Sequence, residues 1–257
     1  MPSKVQIPRY IEDRIRQRHP VDSYVVPGST AVVSFGNAQI ASVATLGLNP
    51  SRVEFIDRDG KMLTGSSRRL STHESLGTSD LTNASTDIIR TVFDECNQYF
   101  QRNPYRRWFD QFMPVLKALG VSYYDGTACH LDLVQWATDP TWVSLKPAEI
   151  RLKLLREDVQ FFRQQLERES LKLLLVNGQS VVSQLKKSGV CDIEKIEAIA
   201  GFGNSDTKMY AGTAFGRLAI VGWSTNLQSS FGVSRQLREE LARRVKDATM
   251  QLGISKI

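Results

Sequence analysis

Short, nearly solid apolar runs alternate along the chain with longer segments whose apolar residues recur every three or four positions. TAVVSF (30–35) and ASVATLGL (41–48) read as two strands joined by a Gly-Asn turn. EFIDRDGKML (54–63) reads as a tight hairpin turning on Asp59-Gly60. YYDGTACHLDLV (123–134) predicts a strand running into a loop, LKLLLVNG (171–178) a buried strand, and RLAIVGW (217–223) the last strand. Helical spacing predicts helices over 8–18, 86–101, 105–119, 147–169, 179–188 and 233–252. In the second of these, Ile88, Ile89, Val92, Phe93, Cys96 and Phe100 keep the helical period, and Thr86 or Asp87 can cap it. Pro147 sits near the start of the fourth, where proline is tolerated. The Ser-, Thr- and Gly-rich stretch 64–86 predicts a long loop, and such loops are often functional. Strands alternating with helices predict an α/β fold with helices on both faces of the sheet. Ligands of such sheets bind beyond the carboxyl ends of the strands, so chemistry is expected just after them.

With 257 residues there is room for one large α/β domain or two small ones. Apolar content of 41% and charged content of 23% fit a soluble globular chain. No apolar run reaches the roughly 18–20 residues of a membrane span. The charged N-terminus lacks the apolar core of a secretory signal, so a cytoplasmic location and no membrane partner are expected. Cys96, Cys129 and Cys191 are far apart and form no CxxC pair, which argues against a metal centre and fits a reducing compartment. A net charge of +6 means either a solvated basic surface or a polyanionic partner such as nucleic acid. The basic clusters RYIEDRIRQR (9–18), SSRR (66–69) and YRRW (105–108) allow both readings. VNGQS lacks the remainder of a P-loop, and neither GxGxxG nor GxSxG occurs, so nucleotide-triphosphate, dinucleotide and serine-hydrolase chemistry gain no support.

Three strand ends are dense in polar side chains. In GLNPS (47–51), Pro50 pushes Asn49 toward extended backbone, and its amide can orient a water, read a base edge, or cap the strand. In CHLDLVQW (129–136), Asp132 can accept from an exocyclic amine such as cytosine N4, help to activate a water, or form a cap or ion pair. His130, two residues before it, is of a type more often structural than catalytic. In GWSTNLQSSFG (222–232), Ser224, Thr225 and Asn226 can grip phosphates. Leu227 suits a wedge that enters a base stack, or else it tucks under the loop. Trp136 and Trp142 can stack on a ligand or belong to the core, the core being favoured.

In order and placement these loops resemble the uracil-DNA glycosylase superfamily. Gly47-Leu48-Asn49-Pro50-Ser51 is similar to its first motif, G-[I/M/Q]-[N/D]-P-G, and nearest to the mismatch-specific and single-strand-selective branches. The resemblance implies a three-layer α/β/α sandwich around a mostly parallel central sheet. It would be one domain over 1–257 with an N-terminal helical extension over about 1–28. It implies that Asn49 orients the hydrolytic water and that Phe55 stacks on the base. Asp132 stands where the family reads uracil with Asn. An ionised Asp only accepts, which suits a base bearing an amino group, such as a cytosine derivative. Trp223-Ser224-Thr225-Asn226-Leu227-Gln228 resembles the last motif, with Leu227 at the wedge. Trp223 replaces the histidine of many members, a role that His130 is then a candidate to supply. LLLVNGQS, with Gly178, resembles the strand and glycine turn that precede that motif.

The implied activity is that of a monofunctional DNA glycosylase needing no metal or cofactor, and a monomer is expected. Its partner is DNA, in which it flips a base and leaves an abasic site. Bacterial members with a similar pattern remove hypermodified cytosines from phage DNA in antiviral defence, and the 57–86 loop would then shape a larger pocket. Uracil or mismatch repair, a catalytically inactive nucleic-acid-binding module, and an unrelated α/β hydrolase or nucleotide-processing enzyme are the alternatives.

Overall fold

The computed structural model describes residues 6–200, 206–229 and 233–254. Its helices are α1 (Arg9–Arg16), α2 (Thr86–Asn97), α3 (Arg106–Phe109), α4 (Met113–Ala118), α5 (Ala148–Arg168), α6 (Gln179–Ser188) and α7 (Arg235–Gln251). Its strands are β1 (Val43–Gly47), β2 (Ala128–Asp132), β3 (Leu173–Asn177), β4 (Asp192–Ile199), β5 (Thr207–Ala214) and β6 (Leu218–Trp223). The chain groups into two compact units interleaved in sequence. A loop-rich unit runs to Phe35 and resumes over Asn49–Asn103 and Asp132–Gln164. A sheet unit takes Gly36–Leu48, Pro104–Leu131 and the chain from Gln165 onward.

The sheet has six strands in the order β2-β1-β3-β6-β5-β4. β1, β3 and β6 are parallel, in a register that sets Val43 beside Leu173 and Leu173 beside Ala219. β5 runs against β6, and β4 against β5, so β4 points the same way as the parallel strands. The sheet is therefore mostly parallel. Every residue of β1, β3 and β6 is buried, as solid apolar runs require when both faces are covered. α6 packs on β3 and β6, and α7 on β6 and α4. α7 buries Leu237, Leu241, Ala242, Val245 and Ala248, one apolar stripe at helical spacing.

Two expectations need correction here. TAVVSF forms no strand. Val32 N–H donates to the Gln135 carbonyl (2.8 Å) without a ladder on either side of it. The 54–63 hairpin does form, as a short one: Ile56 bridges Met62, the Asp57 amide donates to the Lys61 carbonyl (2.9 Å) and the Leu63 amide to the Phe55 carbonyl (2.7 Å), and the Asp57 carboxylate closes the turn by accepting from the Asp59 and Lys61 amides. The 105–119 helix is broken into α3, a 3₁₀ turn over 110–112, and α4. Pro114 has no N–H to continue the ladder, which favours the break there. Sequence reasoning also missed β4 and β5. DIEKIEAI, the edge strand, and TKMYAGTA, which pairs it to β6, are both polar and half exposed. β5 and β6 join through Phe215 and Gly216, both at positive φ (54° and 65°), the geometry of a type I′ hairpin turn.

The loop-rich unit carries α1 packed on α2. A core cluster of Val25, Ala31, Val134, Trp136, Leu145 and Leu154 has Trp142 against it. Trp136 is therefore core, and Trp142 packs against that core partly buried.

Candidate functional site

Chain direction places Asn49 two residues beyond the end of β1. Its amide nitrogen donates to the Trp136 carbonyl and to Thr138 Oγ1, both at 3.1 Å. A carbonyl only accepts, so the NH₂ must face Trp136, and this fixes the amide's orientation. Among the described residues no protein donor reaches Asn49 Oδ1, and the residue is half-buried. The carbonyl end of a rigid amide is thus available to accept from a water or an exocyclic amine. Pro50 is buried behind it. Ser51 bridges to Thr138 and caps the 3₁₀ turn Arg52–Glu54 by accepting from the Val53 amide.

The 132–138 segment that grips Asn49 is itself held from beneath. Gln135 donates its backbone N–H to Asp158 (2.9 Å) and its side-chain amide to the Asp132 carbonyl (2.7 Å). Asp158 pairs at 2.7 Å with Arg14 of α1, and their side chains are 0% and 2% exposed. The Arg14 guanidinium lies over the Trp136 ring at 5.0 Å. Burial pulls both charged groups toward neutrality, and their mutual attraction opposes it. The N-terminal helix therefore supports the strand-end loop that orients Asn49.

The same unit contains an acid that sequence reasoning missed. Glu54, 2% exposed, accepts from the Tyr99 hydroxyl at 2.6 Å, and Arg69 lies 4.0 Å away. Burial pushes its carboxyl up to about 7. The Tyr99 hydrogen bond and the Arg69 charge pull it down, and the Asp132 charge adds to the upward push. Glu54 and Asp132 are therefore electrically coupled, and Asp132 is itself buried at the end of β2. The available signal was an acid set between Val53 and Phe55-Ile56, where the chain is otherwise apolar. Phe55 has 0% exposure, which corrects the expectation of an open stacking face.

Gly47, Leu48, His130, Gly178, Ser224, Thr225, Asn226 and Leu227 belong to the sheet unit. His130, expected as a catalytic candidate, is 1% exposed and lies 2.7 Å through Nδ1 from Thr45 Oγ1. Thr45 in turn meets the Tyr123 hydroxyl at 2.5 Å. Trp108, Phe109 and Phe112 ring the imidazole at 5.0, 5.4 and 6.2 Å. Such a cage describes a core histidine.

The last loop is organised by Asn177, which sequence reasoning also missed. Its Oδ1 accepts from Trp223 Nε1 (2.8 Å) and the Leu227 amide (3.0 Å), and its Nδ2 donates to Asn226 and Gln228. Trp223 is thus a buried anchor. Leu227 is fully buried too, which corrects the expectation of an exposed wedge. Ser224 Oγ accepts from the Lys208 amide and Thr225 Oγ1 meets Thr207 Oγ1, so both hydroxyls are committed within the fold. Gly178, at φ 93°, turns the chain where an added Cβ would meet Asn226 Cβ at 3.4 Å. Residues 230–232 of this loop lie outside the described residues.

Two basic clusters are also partly internal. Arg68 forks onto Glu95 at 2.7 and 2.8 Å, and Arg69 donates to the Val53 and Asn103 carbonyls. Arg16 binds Glu12 and the Ala84 carbonyl, and Arg18 binds Asp80. In the third, Arg106 stacks on Tyr124 at 4.5 Å. Among the described residues no helix is long and apolar enough to cross a membrane, and no group of three or more His, Cys, Asp or Glu is placed to hold a metal ion. Set against protein-family models and curated proteins, the chain matches none.

Proposed function

We propose that this chain is a monofunctional DNA glycosylase that extrudes a modified base and hydrolyses its N-glycosidic bond, leaving an abasic site. A modified cytosine of phage DNA is the substrate this reading favours, in antiviral defence, with a three-layer sandwich of the uracil-DNA glycosylase type as the scaffold. The observation that carries the reading is Asn49, a strand-end amide locked by two donated hydrogen bonds with its carbonyl oxygen left to accept. In this role Asn49 places the water that attacks C1′. The glycosidic bond breaks with oxocarbenium-like character, and the departing base takes the electron pair and then a proton. A buried acid whose carboxyl is pushed up to about 7, as Glu54 is, can hold a proton near neutral pH. Asp132, an acceptor when ionised, suits the amino group of cytosine.

A second reading is a nucleic-acid-binding module without catalysis. It is favoured by the burial of Leu227 and by Trp223 standing as an anchor on Asn177. The test is abasic-site formation on DNA carrying uracil, hypoxanthine, 5-hydroxymethylcytosine or glucosylated 5-hydroxymethylcytosine. Cleavage confined to a modified cytosine supports the first reading. Cleavage on uracil keeps the enzyme and removes the Asp132 argument. DNA binding with no abasic site on any substrate favours the second.

A further inference from the structure

Within the loop-rich unit, the 24–26 segment pairs with the loop that holds Asn49. Val25 and Thr138 form an antiparallel bridge. It is flanked by bonds from the Val26 amide to the Ala137 carbonyl and from the Asp139 amide to the Tyr24 carbonyl, both 2.9 Å. Ser51 bridges to the same Thr138, whose Oγ1 accepts from the Asn49 amide. Val25 and Thr138 are buried, so strand alternation turns their neighbours Tyr24 and Asp139 outward. Tyr24 is 51% exposed, and Asp139 pairs at 2.8 Å with half-buried Arg52. Tyr24 also stands at φ 55°. A bulky residue rarely adopts that left-handed backbone, which Gly, Asn and Asp enter more readily. Such strain persists where surrounding bonds over-determine it, and it collects at functional sites. With half its surface in solvent, the Tyr24 ring returns little packing for the strain.

Apolar surface and positive charge continue along the chain segments on either side. Val21, 73% exposed, offers its carbonyl to Lys153 Nζ at 2.9 Å. Val143, 75% exposed, offers its carbonyl to Arg151 at 3.3 Å. Among the described residues neither cation meets a carboxylate, so both keep their charge. Of the acids in these segments, Asp139 is matched by Arg52, and Glu149 has exposed Lys146 three residues before it, which leaves Asp22. A nucleic acid presents base faces and phosphates together, which suits an exposed aromatic among apolar side chains and unneutralised cations. A protein partner would favour a centre depleted of charge.

We propose that this face docks the DNA beside the nucleotide on which Asn49 acts, with Tyr24 stacking on a base and Arg151 and Lys153 taking flanking phosphates. The proposal rests on the glycosylase reading for the position of that nucleotide. It gives the chain the exposed aromatic contact that Phe55 and Leu227, both fully buried, do not supply.

The test is fluorescence anisotropy of the full chain with a labelled DNA duplex carrying one tetrahydrofuran abasic analogue, read across a salt series. Tyr24→Asn should weaken binding at least about fivefold, the loss of one stacked base. Its melting temperature should equal or exceed that of wild type, because Asn enters the left-handed backbone more readily. Tyr24→Phe keeps the ring and should bind within about twofold of wild type. Arg151→Gln with Lys153→Gln keeps donors for the two carbonyls and should flatten the slope of log affinity against log salt by about two. Equal affinity in Tyr24→Asn, an equal loss in Tyr24→Phe, or an unchanged salt slope in the double variant overturns the inference. If Tyr24→Asn does not fold, the salt slope decides. Abasic-site formation by a chain whose DNA affinity ignores these substitutions overturns this interface and leaves the glycosylase reading standing. Weakened binding in the variants, with no abasic site formed on any DNA, does the reverse.

Discussion

Replacing Glu54 with Gln should remove a pH-dependent destabilisation of the folded chain. In the unfolded chain the carboxyl titrates near 4.5, and in the fold burial pushes it up to about 7. Below 4.5 both states hold the proton and the group contributes nothing to the pH dependence. Between 4.5 and about 7 the unfolded state has released its proton while the folded state keeps it, so stability falls as pH rises. Above about 7 the loss is complete. At 1.36 kcal/mol per pKa unit, that displacement amounts to about 3 kcal/mol. The side chain is 3% exposed, so solvent screening barely reduces the figure. Gln keeps the shape, can still accept from Tyr99 and never ionises. Urea unfolding of both proteins at pH 5 and pH 8 gives the comparison. Other titrating groups are common to the two and cancel in the difference. The Gln variant should be close to wild type at pH 5 and more stable by about 2–3 kcal/mol at pH 8. Parallel stability curves across that range would refute the reasoning.

Three further outcomes follow from the same packing. Arg14→Met leaves Asp158 buried and uncompensated, and should lower stability by about 3–5 kcal/mol in urea unfolding; adding Asp158→Asn, which removes the charge and keeps an acceptor for the Gln135 amide, should restore most of the loss. Asn177→Ala removes the acceptor of Trp223 Nε1 and of the Leu227 amide, so it should cost about 2–4 kcal/mol and speed exchange of the Leu227 amide by at least tenfold in hydrogen-exchange NMR. Cys96 is 2% exposed with a thiol that burial pushes up to about 11, so iodoacetamide at pH 8 should label it only at the rate of global unfolding, as mass spectrometry of the labelled peptide would read.

What the sequence made legible was what solid apolar runs encode. β1, β3 and β6 lie within the segments expected, because strands buried on both faces are apolar at every position. α5, α6 and α7 follow from helical spacing in the same way. β4 and β5 were missed because an edge hairpin needs only one apolar face, and its polar residues look like loop. Asn49 was legible as a strand-end amide because proline follows it. Its two acceptors come from residues 136 and 138, almost ninety positions away, and no local pattern specifies them. Leu227 looked exposed because polar residues surround it in sequence. Its burial follows from Asn177, which ends β3 and draws the loop down by accepting the Leu227 amide. The basic clusters misled for a related reason: Arg14 and Arg68 have acidic partners at 158 and 95, distant along the chain. Glu54 was hidden because its carboxyl is shifted by burial, which sequence neighbours hint at without fixing.

The central claim is that Asn49 orients a water for glycosidic cleavage. Its most direct test is single-turnover base excision by wild type and Asn49→Ala on the best DNA substrate, with DNA affinity measured beside it. The claim predicts a rate at least about a hundredfold lower in Asn49→Ala, with affinity within about twofold, because the amide acts on the attacking water and its loss raises the barrier by about 3 kcal/mol. Equal excision rates in the two proteins would contradict it.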